Sequence, residues 1–192
     1  MKRHLFLSCL LVCGLFGSLV SADEITYELN TVASGSLGGV QFTNQGLTIR
    51  AVGDTDNVTT SGSLNLLNVD VLVSVEIVGL GSAEFTDAVQ VVSNNNSDLG
   101  GFGNTSTSSG LIFINATEFE TYDLRSEIGP VSGTAIINGG THGTDGGNLF
   151  LISSTTTGTF EARFSAIPEP GSAVVFVLMT SAAAMRRQNR VV

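Results

Sequence analysis

The chain has 192 residues, 42% hydrophobic and only 13% charged, with eight Lys+Arg against seventeen Asp+Glu and a formal charge of −9. Ample apolar content with little charge excludes a disordered, self-repelling chain, and the acidic balance excludes binding nucleic acid by phosphate neutralisation. The length allows one domain with appendages.

Residues 1–22 have the three parts of a secretory signal. Lys2, Arg3 and His4 form a basic head, Leu5 to Val20 an apolar stretch, and Val20-Ser21-Ala22 a small-residue site before Asp23-Glu24. Cleavage is expected after Ala22; the alternative is an uncleaved anchor. A lipoprotein signal fits poorly, because Val12 precedes Cys13 and Leu7-Ser8 precede Cys9. Both cysteines of the chain lie here. The mature chain is therefore expected to have no disulfide, no thiolate metal site and no thiol nucleophile.

Residues 23–167 are expected to form one extracytoplasmic domain, with sixteen carboxylates against Arg50, Arg125 and Arg163, a balance of −13. A domain of this size buries roughly 68% of its unfolded surface. Its periodicity is that of strands. Ile25, Tyr27 and Leu29 alternate with Thr26, Glu28 and Asn30; Val40–Phe42 and Leu47–Val52 follow. Val69, Val71, Val73, Val75 and Ile77 alternate with Asp70, Leu72, Ser74 and Glu76, which puts five β-branched side chains on one face. Phe85–Val92, Leu111–Asn115, Thr134–Ile137 and Asn148–Ser153 come next, and Phe160, Ala162 and Phe164 alternate with Thr159, Glu161 and Arg163. Between them lie turn clusters such as Gly79-Leu80-Gly81 and Asn94 through Gly101. Residues 118–128 are ambiguous between one helical turn and a loop. About nine short strands predict an all-β protein, an antiparallel β-sandwich of jelly-roll or Greek-key type.

Catalytic chemistry is poorly supplied. His142, the one histidine after the signal, sits in the Gly-rich stretch 138–147, which reads as a flexible, solvated loop; a triad with Asp145 lacks a Gly-x-Ser-x-Gly elbow. Glu118 and Glu120 could share a strand face, with Glu161 and Glu76 as further carboxylates for glycoside hydrolysis. Alternating surface carboxylates are the default reading. Calcium is the cation that the oxygens of Asp54, Asp56 and Asn57, or of Asn94 to Asp98, would favour. Val58 falls where a further ligand should be, and turn chemistry accounts for both runs. Otherwise no cofactor is expected. Four Asn-x-Ser/Thr sites, at Asn57, Asn95, Asn104 and Asn115, imply exposure. Gly100-Gly101-Phe102-Gly103 lacks the context of a phosphate loop.

Residues 168–192 differ from all that precedes. Pro168-Glu169-Pro170 is a rigid break, Gly171 to Met185 an uncharged apolar span, and Arg186, Arg187 and Arg190 a basic stop. Fifteen residues make roughly 22 Å of helix, short for a bilayer core of about 30 Å. In this order, after a signal peptide, these features resemble the PEP-CTERM sorting signal of exported bacterial proteins. The resemblance covers residues 167–190 and does not reach the domain. It implies an exosortase-type sorting protease as partner, a transient stay in the inner membrane through a C-terminal transmembrane helix, and a destination at the surface or matrix of a bacterium that makes exopolysaccharide. The expected role is structural or interactive, without enzymatic activity. A carbohydrate-binding module, with exposed Phe119 and Tyr122 on a concave face, is the alternative, and a secreted hydrolase a more distant one.

Overall fold

Ile25, Tyr27, Leu29, Thr31 and Ala33 share one face of an extended chain, and all five are buried. They belong to β1 (Glu24–Leu37) of a computed structural model that describes residues 24–68, 72–105 and 109–165. Gly38 and Gly39, with φ of 56° and 86°, make the two-residue turn into β2 (Val40–Asp54); a hairpin of this kind needs left-handed backbone at both positions. Then follow β3 (Val58–Ser61), β4 (Leu64–Asn68), β5 (Val73–Ile77), β6 (Gly81–Glu84), β7 (Val89–Asn94), β8 (Leu99–Asn104) and β9 (Ser109–Asn115). The last four are β10 (Ile128–Ile137), β11 (Gly140–His142), β12 (Leu149–Leu151) and β13 (Ser154–Phe164).

The protein is all-β and antiparallel. Its strands run in the order β3-β4-β7-β8-β9-β10-β13-β1-β2-β5-β6, with β12 on the far end of β1 and β11 on β12. This is one continuous hydrogen-bonded path that curls until its two arms share a core. A β-carbon on Gly53 of β2 would come within 2.6 Å of Leu67 of β4, although those strands lie seven places apart in the order. At the centre stands Phe160 of β13, whose ring lies 5.5 Å from Phe119, 6.3 Å from Tyr122, 6.4 Å from Tyr27 and 6.5 Å from Phe102. Such tilted and edge-on aromatic contacts each add about 0.5–1.5 kcal/mol beyond the area they bury.

Several sequence expectations change. Leu99–Asn104, placed among turns and glycines, is a strand. Gly100 is glycine because a β-carbon there would overlap the Phe119 ring, and Gly101 because it would overlap the Ile112 carbonyl. The run Phe85–Val92 becomes a strand only at Val89, with Phe85 in an isolated bridge to Thr144. At the end of β13 the alternation fails, since Phe164 is exposed. Of the best alternating run, Val73, Val75 and Ile77 are buried as expected, whereas Val69, Asp70 and Val71 lie outside the described residues. So do Ala22, Pro168, Glu169, Pro170, Arg186, Arg187 and Arg190, with both terminal segments. Among the described residues no helix is long and apolar enough to cross a membrane.

The connection from β9 to β10 joins neighbouring strands by a long detour. It opens with a 3₁₀ turn, Thr117–Glu120, and its carbonyls then meet side chains from four other places. Tyr122 O accepts from Ser93 Oγ at 2.9 Å and from the Asn65 and Asn95 amides at 3.1 Å each. Phe119 O accepts from Asn95 at 2.6 Å, and Leu124 O from the Tyr27 hydroxyl at 2.5 Å. Arg125 Nη2 donates in return to Val58 O at 2.7 Å. Backbone carbonyls carried inward without partners would cost about 1–3 kcal/mol each. These donors remove that cost and lock the connection over the core.

Val73 is 4% exposed and looks into that core. Val73→Asp should therefore bury an uncompensated carboxylate and cost about 3–5 kcal/mol. A urea unfolding midpoint unchanged from wild type would contradict the inward assignment of this face.

Candidate functional site

The stretch 138–147 is not a solvated loop. Its centre is β11, paired through Thr141↔Phe150 and His142↔Leu149 to β12, which in turn pairs with Ser36 and Leu37 of β1. Pairing carries the imidazole inward, and His142 is 3% exposed. A three-residue strand is too short to announce itself by alternation, so composition pointed the wrong way.

Around His142 the polar groups form a chain. Asn104 Nδ2 lies 3.3 Å from His142 Nδ1 and 3.2 Å from Asp87 Oδ2. The same Asp87 oxygen accepts from Gly143 N at 2.8 Å, and Thr86 N donates to Gly143 O at 2.9 Å. Asp145, paired with His142 in a sequence-based triad, turns away and accepts from Glu84 N at 2.8 Å. With the Asn104 amide as donor, Nδ1 of a neutral imidazole accepts and Nε2 carries the proton. Nε2 is buried without a hydrogen-bond partner. Burial pushes the His142 pKa below its ordinary value, while the Asp87 carboxylate pulls the other way. The arrangement clamps the segment before β7 to the segment after β11. The ring is enclosed, and among the described residues no hydroxyl bonds to it.

The remaining sequence candidates do not converge. Glu118 and Glu120 sit on the 3₁₀ turn rather than a strand, both exposed, with Phe119 buried between them. Glu161 lies on the outer face of β13, opposite Glu28, with Arg163 at 2.6 Å; Glu76 is opposite Thr48 on β2. These carboxylates stand on an outer surface, not across a cleft. The carbohydrate-binding alternative needs Phe119 and Tyr122 on an exposed concave face; they are 0% and 4% exposed and belong to the aromatic core. Burial pushes both the Tyr122 and Tyr27 phenols well above their ordinary range, so they serve as donors. The Asp54 carboxylate accepts from Asp56 N at 2.8 Å and caps the turn Thr55–Asn57. Among the described residues no three His, Cys, Asp or Glu side chains are grouped to hold a metal. Of the four Asn-x-Ser/Thr sites, Asn57 is exposed and Asn104 is 1% exposed. Asn95 and Asn115 spend their amides on Phe119, Tyr122, Ser97 and Asp98 carbonyls. Sequence could not see this, because each partner lies in a different segment.

On the outer surface of β1, β13 and β10 runs an open groove of about 680 Å³. Ser132 faces Thr159 and Thr134 faces Thr157 across the strand pair, over the paired glycines Gly133 and Gly158, with Asn30 beside Thr159. It is neutral and hydroxyl-rich. No family model, curated protein or solved structure matches the chain.

The histidine predicts a pH response of definite sign. In the unfolded chain His142 titrates near the ordinary value of 6.5, and in the fold only at lower pH. Below about pH 6.5 the unfolded state binds more protons, so this contribution to stability is complete above that pH and is lost as the pH falls toward the folded value. Urea unfolding at pH 7.5 and 5 should show wild type losing more stability than His142→Gln. Equal losses would place the acid sensitivity elsewhere.

Proposed function

We propose that this is an exported, non-enzymatic interaction protein whose β domain is displayed at the cell envelope or its matrix after sorting through residues 168–192. The observation that carries the reading is that the start of β1 and the end of β13 lie side by side. Ser165 N donates to Glu24 O at 2.9 Å and its hydroxyl to Glu24 Oε1 at 2.8 Å, so the first and last strands meet at one corner. A signal segment before residue 23 and a sorting segment after residue 167 would then both join the domain at that one corner, where β1 pairs with β13.

In this reading residues 1–22 are a cleaved signal helix and Gly171 to Met185 a short, transient transmembrane helix, held by Arg186, Arg187 and Arg190 on the cytoplasmic side. Pro168-Glu169-Pro170 then stands at the outer surface of the inner membrane, within reach of an exosortase-type protease. The domain itself is a sandwich of jelly-roll or Greek-key type. Support comes from the chain's alternation between arms, with β1–β2 and β5–β6 on one and β3–β4 and β7–β9 on the other. A second reading, a module for neutral glycans, is favoured by the hydroxyl groove over Gly133 and Gly158 and has no aromatic platform in its support.

Deleting residues 171–192 should leave the domain folded and move it from the envelope to a freely soluble periplasmic state. Glu169→Ala should keep the anchor and block processing, so that full-length protein accumulates in the membrane. Fractionation followed by intact-mass measurement checks both. Release of the Glu169 variant like wild type would reduce the tail to a simple anchor.

A further inference from the structure

Four large apolar side chains of the outer surface, Val32, Val78, Phe150 and Ile152, gather at one end of the molecule. Phe150 is opposite Ser36 on β1, and Ile152 N bonds to Ser34 O at 3.0 Å, so Phe150 and Ile152 stand side by side along the outer face of β1. Val32, two residues further along that face, is opposite Gly46 of β2. Val78 fills the space a side chain at Gly46 would take, its Cγ2 3.0 Å from a β-carbon built there. Their exposures are 44%, 50%, 43% and 61%, in the order Phe150, Ile152, Val32, Val78. Singly, exposed apolar residues are ordinary; in a contiguous stripe they mark a contact surface.

The stripe is uncharged. Its neighbours by register are Ser34, Ser36, Gln41, Gly46 and Thr141, and the first carboxylate on this face is Glu76, a row away opposite Thr48. The domain as a whole is strongly acidic. Two copies that meet over the outer face around Glu28, Glu76 and Glu161 bring carboxylates together, whereas the stripe itself carries none. A basic partner would find its charge complement on the acidic remainder instead. The corner where Glu24 meets Ser165 is at the opposite end of β1, twelve residues from Ser36 and roughly 40 Å away at 3.3–3.4 Å per residue.

We propose that Val32, Val78, Phe150 and Ile152 form a self-association surface that takes a second copy of this chain in a two-fold contact, whatever the route by which the chain is sorted. Because the copies are like-charged and the contact apolar, added salt strengthens the association by screening repulsion.

Sedimentation velocity over a concentration series, at low and high salt, tests this with full chains of equal length, so that anything the terminal segments add is common to all. Wild type is expected to associate reversibly and more tightly in high salt. Phe150→Ser/Ile152→Ser should weaken association about tenfold or more, while Phe164→Ser, an exposed aromatic at the opposite end, should change nothing. A monomeric wild type, or association indifferent to the double variant, would overturn the proposal. So would monomers that float with neutral phosphatidylcholine vesicles through Phe150 and Ile152, since the occupant would then be lipid.

Discussion

A sheet that curls on itself without disulfides must close its open end with backbone, and backbone drawn inward must be hydrogen-bonded. The rest of this structure depends on how residues 116–127 meet that demand. The Tyr122 carbonyl accepts three side-chain donors, from β4, β7 and the turn after β7. Leu124 receives the Tyr27 hydroxyl and Phe119 the Asn95 amide. Asn65 and Ser93 are buried for this purpose, and Tyr27 combines a core ring with a polar tip.

The aromatic cluster follows from the same connection. Phe119 and Tyr122 project from it onto Phe160, and Phe160 joins them to Tyr27 and Phe102. The glycines of β8 are part of this packing, because any side chain at Gly100 would displace the Phe119 ring. Polar pins and aromatic contacts are thus one device. Loss of a pin would loosen the ring that touches both arms, and the effects of substitutions at Asn95 and Phe119 should not add independently.

What was legible in the sequence was local. Period-two alternation located β1, β5 and β13, and the inward faces of the first two, because each side chain's direction there depends only on its own strand, and two apolar runs marked parts of β2. Residues 118–128 were rightly ambiguous between a turn and a loop, and they contain both. What was not legible was pairing between distant segments. Leu99–Asn104 has turn composition and strand structure, because its glycines answer to Phe119 and Ile112 rather than to a turn. His142 has loop composition and a buried position, because β12 is placed by β1 more than a hundred residues earlier. Phe119 and Tyr122 looked like a binding platform only while their contact with Phe160 was unseen.

A domain without cysteines and with a large negative charge has to confine its weak points. Carboxylates on the outer face are tolerated because they are solvated and interleaved with arginine, as where Glu28 lies between Arg50 and Glu161 and Glu161 bonds Arg163. A buried imidazole has no such relief. Burial favours its neutral form, and the nearby Asp87 carboxylate is already engaged with Gly143 and Asn104. Protonating the ring would set its Nδ1 hydrogen against the Asn104 amide, which opposes the clamp between residues 84–88 and 140–145. That clamp is distant from the corner where Glu24 meets Ser165.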